Sequence, residues 1–558
     1  MTKLRKILLT NFAVLMVLVS SLNVALTPAS IAYAGVEEMQ GYVNPQDIVI
    51  ASPANKYSTT ASKVSILGAC DYNYPLYLNG QQIVTTKYGF FTTYVELSVG
   101  ENLFTFENNG KVKTWTIIRK KTSTSSGTSS GTSNTSSYKA YTTDTYGVLT
   151  SNYAMPRYSA AASDMNCMPL TRGTTFRILG EEKGYYQISD GTFISKSNIT
   201  RYNKKLDDNK VTFTKMYLKE DTNQLITELT MNINTLYEVY FEGEEVYLTL
   251  YQTTSAKEIS VPKNDVVKNV TLIKDINEKK VTYCFHFYNE EHVLGYDVFF
   301  SNGKMKFELK KAPKLVKKGT LSGTTIFLDA GHGDNDSGAV GPLGKYGPME
   351  KDINLNITLY AKKYLENLGA KVVLTRSEDK FYSLTERVSM IRNLRPDISV
   401  SIHANSLDYS TDYSKVSGFL TYYSYTFGGD LPDLMNESIA DSLGFIPRAT
   451  RQKSLSLTRF TTCPSVLLET MFLSNPNDYE YLLKTENQKA FGNAIGKSIQ
   501  QYLESVAIKD AIIYIVKKGD TLKKISLKYG VELDEIVKYN NITNSNNLVV
   551  GQKIIIPQ

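Results

Sequence analysis

Two hydrophobic periods divide the chain. Through residues 36–310 apolar and polar positions alternate over short runs separated by Gly, Asn and Asp, which predicts half-buried β-strands. Asn79-Gly80 and Asn109-Gly110 supply two-residue hairpin turns within 36–120, and Asn302-Gly303 supplies a turn within 209–310. From residue 324 the pattern changes. Apolar runs of strand length at 324–330, 398–405 and 465–470 alternate with segments of helical spacing. Ile353, Ile357, Tyr360, Ala361, Tyr364, Leu365 and Leu368 form one stripe, closed by Gly369. Leu384, Val388, Ile391 and Leu394 form another, stopped by Pro396. Further strands are expected at 371–376 and 418–424, and helices at 431–443 and 485–504. The last opens on a capping box of Thr485 and Gln488. This alternation predicts an α/β unit over 324–504 with a twisted, mostly parallel sheet. Residues 512–557 carry a strand at each end and two short amphipathic helices between, begun near Thr521 and Glu532.

At 558 residues the chain is too long for one core and suffices for about three to five domains. The stretch 121–137, rich in Ser, Thr and Gly, buries nothing that offsets ordering entropy and is expected to be a flexible linker. A Lys/Pro/Gly connector at 311–323 leads into the α/β unit. Residues 36–120, with the only tryptophan, Trp115, resemble bacterial immunoglobulin-like modules, a spacer or surface-contact fold. Residues 138–205 resemble bacterial SH3-like modules. Residues 209–310 form a further β-rich module of no assigned family. There His286 and His292 flank Glu290 and Glu291, a spacing that admits a metal but suits ordinary surface or core histidines better.

Residues 1–34 have the layout of an export signal. Lys3, Arg5 and Lys6 precede an apolar run, and Ala32-Tyr33-Ala34 offers a cleavage site. The alternative is an uncleaved anchor; no later membrane span is expected. The protein is therefore expected to be secreted, without stable membrane insertion once the signal is removed. The net charge of +7 suits anionic wall polymers. No basic stripe or RNA-binding signature argues for nucleic acid. Cys70, Cys167, Cys284 and Cys463 lie too far apart for a disulfide framework and are expected to be small buried apolar residues rather than ligands.

Candidate chemistry gathers at the ends of the apolar strands. His332 stands between Gly331 and Gly333 just past the first run, His403 closes ISVSIHAN and Glu469 closes SVLLET. In open α/β sheets ligands bind beyond the carboxyl ends of the strands. Two histidines alone make a poor catalytic zinc site, which normally has three protein ligands and an open fourth position. Glu350, at the end of the glycine-rich loop, is the best third ligand if Asp352 serves as the helix N-cap.

The motifs LDAGHGDNDSGAVG, MEKDINLN, SVSIHAN and SVLLETMFLSNPND, in that order, resemble the catalytic domain of zinc-dependent N-acetylmuramoyl-L-alanine amidases. The resemblance implies one zinc ion held by His332, Glu350 and His403, with Glu469 as catalytic acid/base. It also implies hydrolysis of the amide between the N-acetylmuramoyl lactyl group and L-alanine of peptidoglycan. Ala330 stands where the family usually has proline, and Met471 where it usually has glycine. The segment YIVKKGDTLKKISLKYGVELDEIVKYNN through LVVGQKIIIP resembles a lysin-motif (LysM) domain of βααβ order, which binds N-acetylglucosamine-containing glycans. Its implied contacts are Gly519, Asp520, Thr521, Leu522, Asn547, Leu548, Val549 and Val550. The expected function is that of a wall-targeted peptidoglycan hydrolase, an autolysin; the competing reading is a non-enzymatic wall-binding scaffold with an inactive amidase fold.

Overall fold

The computed structural model describes residues 42–121, 138–161, 168–202, 205–219, 223–315, 319–508, 512–540, 542 and 548–556. The export-signal segment, nearly all of the Ser/Thr/Gly linker, Cys167 and Asn547 lie outside them. Among the described residues no helix is long and apolar enough to cross a membrane.

The first module is two sheets around one core. A three-stranded sheet, with Lys63–Ala69 between Val49–Ser52 and Phe90–Glu96, and a five-stranded sheet including Gly100–Asn108 and Lys111–Arg119 both turn apolar residues inward. Phe91 of one sheet meets Phe106 of the other at 5.6 Å. Asn79 and Asn109 take positive φ in the expected hairpin turns. Trp115 packs at the edge of this core and donates its indole N–H to the Pro53 carbonyl. Residues 139–202 form a separate five-stranded sheet, and residues 209–311 form five- and four-stranded sheets joined through contacts such as Phe285 on Phe307 at 5.1 Å.

The α/β unit has six strands: β1 (Thr325–Ala330), β2 (Lys371–Leu374), β3 (Ile398–Asn405), β4 (Leu420–Tyr423), β5 (Arg451–Gln452) and β6 (Ser465–Phe472). Their order is β2-β1-β3-β6-β4-β5, and the β4–β6 pairing is the antiparallel one. The helices are α1 (Glu350–Asn367), α2 (Leu384–Leu394), α3 (Leu431–Leu443), α4 (Pro476–Leu483) and α5 (Thr485–Val506). The stripe Ile353, Ile357, Ala361 and Leu365 of α1 is fully buried, as its spacing requires.

Several local expectations need correction. Asp352 does not cap α1: Met349 does, and Asp352 sits in the first turn accepting the Met349 N–H at 2.9 Å. Glu350 is thus the first residue of the helix rather than a loop residue. Thr485 and Gln488 do not form a capping box, because Lys484 is the N-cap and Gln488 instead donates to the Leu482 carbonyl. By contrast α2 ends at Leu394 as expected, with Arg395 in a left-handed conformation before Pro396.

The modules pack closely. One continuous apolar cluster runs from the 139–202 and 209–311 sheets into the α/β unit, with Phe241 on Phe427 at 4.9 Å. Gly295 approaches the Thr461 carbonyl so closely that a Cβ would lie 2.2 Å from it. The first module docks through Ser65, whose N–H donates to the Tyr409 carbonyl and whose hydroxyl donates to the Thr411 carbonyl, each at 2.7 Å. Phe90 meets Tyr479 edge-on at 5.3 Å. At the far end, strands Ile512–Ile515 and Lys553–Ile556 pair antiparallel beside helices Leu522–Tyr529 and Leu533–Tyr539, around a small core of their own.

Candidate metal centre

Strands β1, β3 and β6 lie side by side and parallel, so their carboxyl ends share one rim of the sheet. His403 pairs in register with Glu469, which brings these two side chains together on adjacent strands. His332 follows β1 with φ of 61°, a conformation rare for a residue with a Cβ and typical of functional sites. Two glycines make the space. A Cβ on Gly331 would lie 2.3 Å from the His403 ring, and one on Gly338 would lie 2.5 Å from the Glu350 carboxylate and 2.6 Å from His332.

Glu350 reaches the rim from the start of α1. Its Oε1 lies 2.8 Å from His403 Nδ1 and 3.1 Å from His332 Nε2. The backbone N–H of Ala339 donates to Oε2 at 2.7 Å, and Asn354 donates to Oε1 at 3.2 Å. Donor atoms of His332, Glu350 and His403 all fall within 4.8 Å of one another. Bonds of about 2.0–2.2 Å to a tetrahedral ion would set neighbouring donors roughly 3.3 Å apart. The observed separations need only small adjustments to meet that. His332 Nδ1 is buried without a well-aligned hydrogen-bond partner, although Asp336 Oδ1 lies 2.9 Å away. Two imidazoles and a carboxylate with an open side are a donor set that fits zinc.

The electrostatics are those of a strongly coupled cluster. Burial pushes the Glu350 carboxyl up, but His332 and His403 together outweigh it and hold the group well below the usual carboxylate range. Burial pulls the His403 imidazole down, yet Glu350 brings it up to about 9. Half-buried Glu469 is pushed up to about 7, chiefly by desolvation, with Glu350 adding and His403 opposing.

Residues not singled out from sequence hold the strand end. Asp329 is fully buried on β1 and accepts from Arg387, Thr375 and Ser401 at 2.5–2.6 Å. Arg387 also donates to the Ala330 and His332 carbonyls at 2.8 and 2.7 Å. Arg376 donates to the carbonyls of Ala330, Gly331 and Lys351. An acid inside the apolar run of β1 was the available signal. Cys463 lies in a separate apolar cluster with Phe327 and Phe460, away from the centre. A cleft of about 1110 Å³ begins at Gly338 and Ala339, walled by Val49–Ser52 of the first module and by Tyr409, Tyr413 and Ser474.

Elsewhere, His286 and His292 do not act as a pair. His292 is buried in a short turn, whereas His286 faces Glu245. In the 512–556 module Leu522 is 1 % exposed and belongs to the core, so it does not present its side chain to a glycan. Thr521 caps the helix, Asp520 accepts from Tyr514 and from the Lys517 N–H, and Val549 and Val550 are exposed.

Residues 326–501 match the family model for N-acetylmuramoyl-L-alanine amidase, and residues 514–557 match that for the LysM domain. N-acetylmuramoyl-L-alanine amidase LytC of Bacillus subtilis is 35% identical over 189 residues, covering 33% of this chain and 36% of LytC. The uncharacterized protein YqiI of the same organism is 33% identical over 200 residues, covering 35% of this chain and 93% of YqiI. Among solved structures, the catalytic domain of the amidase CwlV from Bacillus (Paenibacillus) polymyxa var. colistinus is 35% identical. That match covers 32% of this chain and 98% of the CwlV domain, with a TM-score of 0.30. The chain thus spans little more than a third of the length of LytC.

Proposed function

The chain belongs to the N-acetylmuramoyl-L-alanine amidase family, and from that premise we propose that it is a zinc-dependent peptidoglycan hydrolase. It cleaves the amide between the N-acetylmuramoyl lactyl group and L-alanine of the stem peptide. The observation that carries this reading is the convergence of His332, Glu350 and His403 donor atoms within 4.8 Å on the strand rim, with Glu469 in register beside His403.

In this reading His332, Glu350 and His403 hold one zinc ion. When bound, zinc supplies Lewis-acid polarisation of the scissile carbonyl and a lowered pKa for attacking water. Glu469 takes the water proton and returns it to the departing L-alanine amine. Burial raises the Glu469 carboxyl above the usual carboxylate range, the direction that favours a group able to hold and return a proton. The Ala339 N–H and Asn354 fix the Glu350 carboxylate, and Asp336 stands beside the outer nitrogen of His332 to orient the ring.

The module at 512–557 holds the enzyme on N-acetylglucosamine-containing glycan, raising the local substrate concentration. Gly519, Asp520, Thr521, Asn547, Leu548, Val549 and Val550 are its proposed contact region. Residues 36–120 and 138–205 are read as immunoglobulin-like and SH3-like modules. The protein acts outside the cell on the wall, after removal of a signal over residues 1–34. Digestion of purified walls tests the activity. New L-alanine amino termini that disappear with a zinc chelator are expected. Split peptide cross-links, or no released fragments from zinc-loaded protein, would overturn the assignment.

A further inference from the structure

The five- and four-stranded sheets of residues 209–311 form a sandwich, and the outer face of its four-stranded sheet carries a second cluster of metal-ligating types. Strand Glu245–Leu250 pairs with Lys280–Phe287, which pairs in turn with Val267–Asp275. Val246, Leu248, Tyr283 and Phe285 point into the core. Strand alternation therefore sends Glu245, Tyr247, Cys284 and His286 to the opposite face. Register places Glu245 directly across from His286, and Tyr247 and Thr271 on either side of Cys284. The carboxylate, the thiol and an imidazole nitrogen lie within 4.8 Å of one another.

We propose that Glu245, Cys284 and His286 form a second metal site, binding a zinc-class divalent cation. The layout matches that of the first centre. In both, an imidazole Nδ1 lies 2.8 Å from one oxygen of a glutamate. In both, the other oxygen is capped by a protein donor: the Tyr247 hydroxyl here, the Ala339 N–H there. The far nitrogen of His286 is fixed by the Thr271 hydroxyl at 3.0 Å, the kind of outer contact that orients a ligating imidazole. Cys284 is 2 % exposed although it lies on the outer face, so neighbouring side chains cover its sulfur. Thiolate with imidazole selects zinc-like ions over calcium or magnesium. Binding releases the thiol proton to water, and thiolate plus carboxylate then neutralise the dication. Three protein ligands leave one position for water or an added ligand. The ion would clip two neighbouring strands of the sheet together.

This site is independent of the catalytic centre and is separable from it by experiment. The full chain is stripped with chelator, reloaded with zinc or cobalt, and its metal content and spectrum are measured. Cys284→Ser is expected to lose one equivalent of zinc, whatever the first centre holds. A His332→Ala/His403→Ala variant is expected to keep that equivalent. Cobalt in the unsubstituted chain is expected to show a near-ultraviolet thiolate charge-transfer band, since none of the first centre's ligands carries sulfur. The band should persist in the double variant and vanish in Cys284→Ser and His286→Ala. Zinc content unchanged by Cys284→Ser, or a cobalt complex without a thiolate band in the unsubstituted chain, overturns the proposal.

Discussion

Replacing Arg387 with Met should damage the proposed catalytic rim without replacing any proposed ligand. Arg387 and Asp329 form a 2.6 Å ion pair whose side chains are 4% and 0% exposed. Removing the guanidinium leaves the Asp329 carboxylate buried with only the Thr375 and Ser401 hydroxyls. Breaking a buried pair from one side costs about 3–5 kcal/mol, because the remaining charge is uncompensated. The same substitution frees the His332 carbonyl, whose residue is held at φ of 61°. Amide exchange followed by mass spectrometry reads the local cost without assuming that a multidomain chain unfolds in one step. Exchange across β1 and α2 should accelerate about 10²- to 10⁴-fold, the equivalent of that energy. Zinc affinity, measured by competition with a chelator, should fall roughly 10- to 100-fold, as for other outer contacts of metal ligands. The Asp329→Asn/Arg387→Met double variant should recover much of the protection, since no charge is then stranded. Exchange and affinity both unchanged in Arg387→Met would refute the idea that this pair holds the strand end.

Glu469→Gln should retain zinc but lower turnover roughly 10²–10⁴-fold in a wall-digestion assay; near-normal turnover would remove Glu469 from proton transfer. Asp297 is buried beside Tyr153 and Arg395, and desolvation pushes its carboxyl up to about 6 despite Arg395. The folded protein therefore holds this proton more tightly than the unfolded chain does. Stability from this group is full below about pH 4 and is lost as pH rises through about 6, by roughly 3 kcal/mol. Exchange of residues 293–301 should accelerate over that window, and Asp297→Asn should flatten the profile. Phe90→Ala removes a fully buried ring from the contact with Tyr479 and should cost about 3–5 kcal/mol. Faster exchange of the Ser65 amide, which donates to Tyr409, would report the loosened docking.

The proposed catalytic rim was legible because its chemistry interrupts strong patterns. His332, His403 and Glu469 each end an apolar run, and parallel pairing makes such ends neighbours whatever the intervening sequence. Glu350 was legible as an acid where a glycine-rich loop meets a helical stripe. Helix boundaries were less so, because tertiary demands overrode local rules. Gln488 bonds Leu482 and Asn356 rather than closing a capping box. Helix α4 escaped notice, although Asn475-Pro476 announces it and the Asn475 side chain accepts from the Asn477 and Asp478 N–H groups. Arg376 and Arg387 were invisible because the groups they hold at the rim, backbone carbonyls and the Asp329 carboxylate, lie some 25 to 58 residues away. Glu245 could not be joined to His286 from spacing alone, since that pairing depends on strand register across the sheet.

Pairing at the far end of α2 changes how the chain before residue 310 should be understood. Arg387 lies in the first turns of that helix, anchored to Asp329 at the rim. The helix ends at Arg395, held in a left-handed conformation. That guanidinium meets Glu308 at 2.8 Å and Asp297 at 3.3 Å, both on the neighbouring sandwich. Lys310 of the sandwich meets Asp397, and the Asp397 carboxylate accepts the Thr325 N–H at the start of β1. Both ends of β1, which leads into His332, are thus fixed by charged groups: one through α2, the other through the sandwich. With the continuous apolar cluster beneath them, the described β-strands of residues 139–202 and 209–311 are a structural support of the α/β sheet rather than a loosely strung spacer.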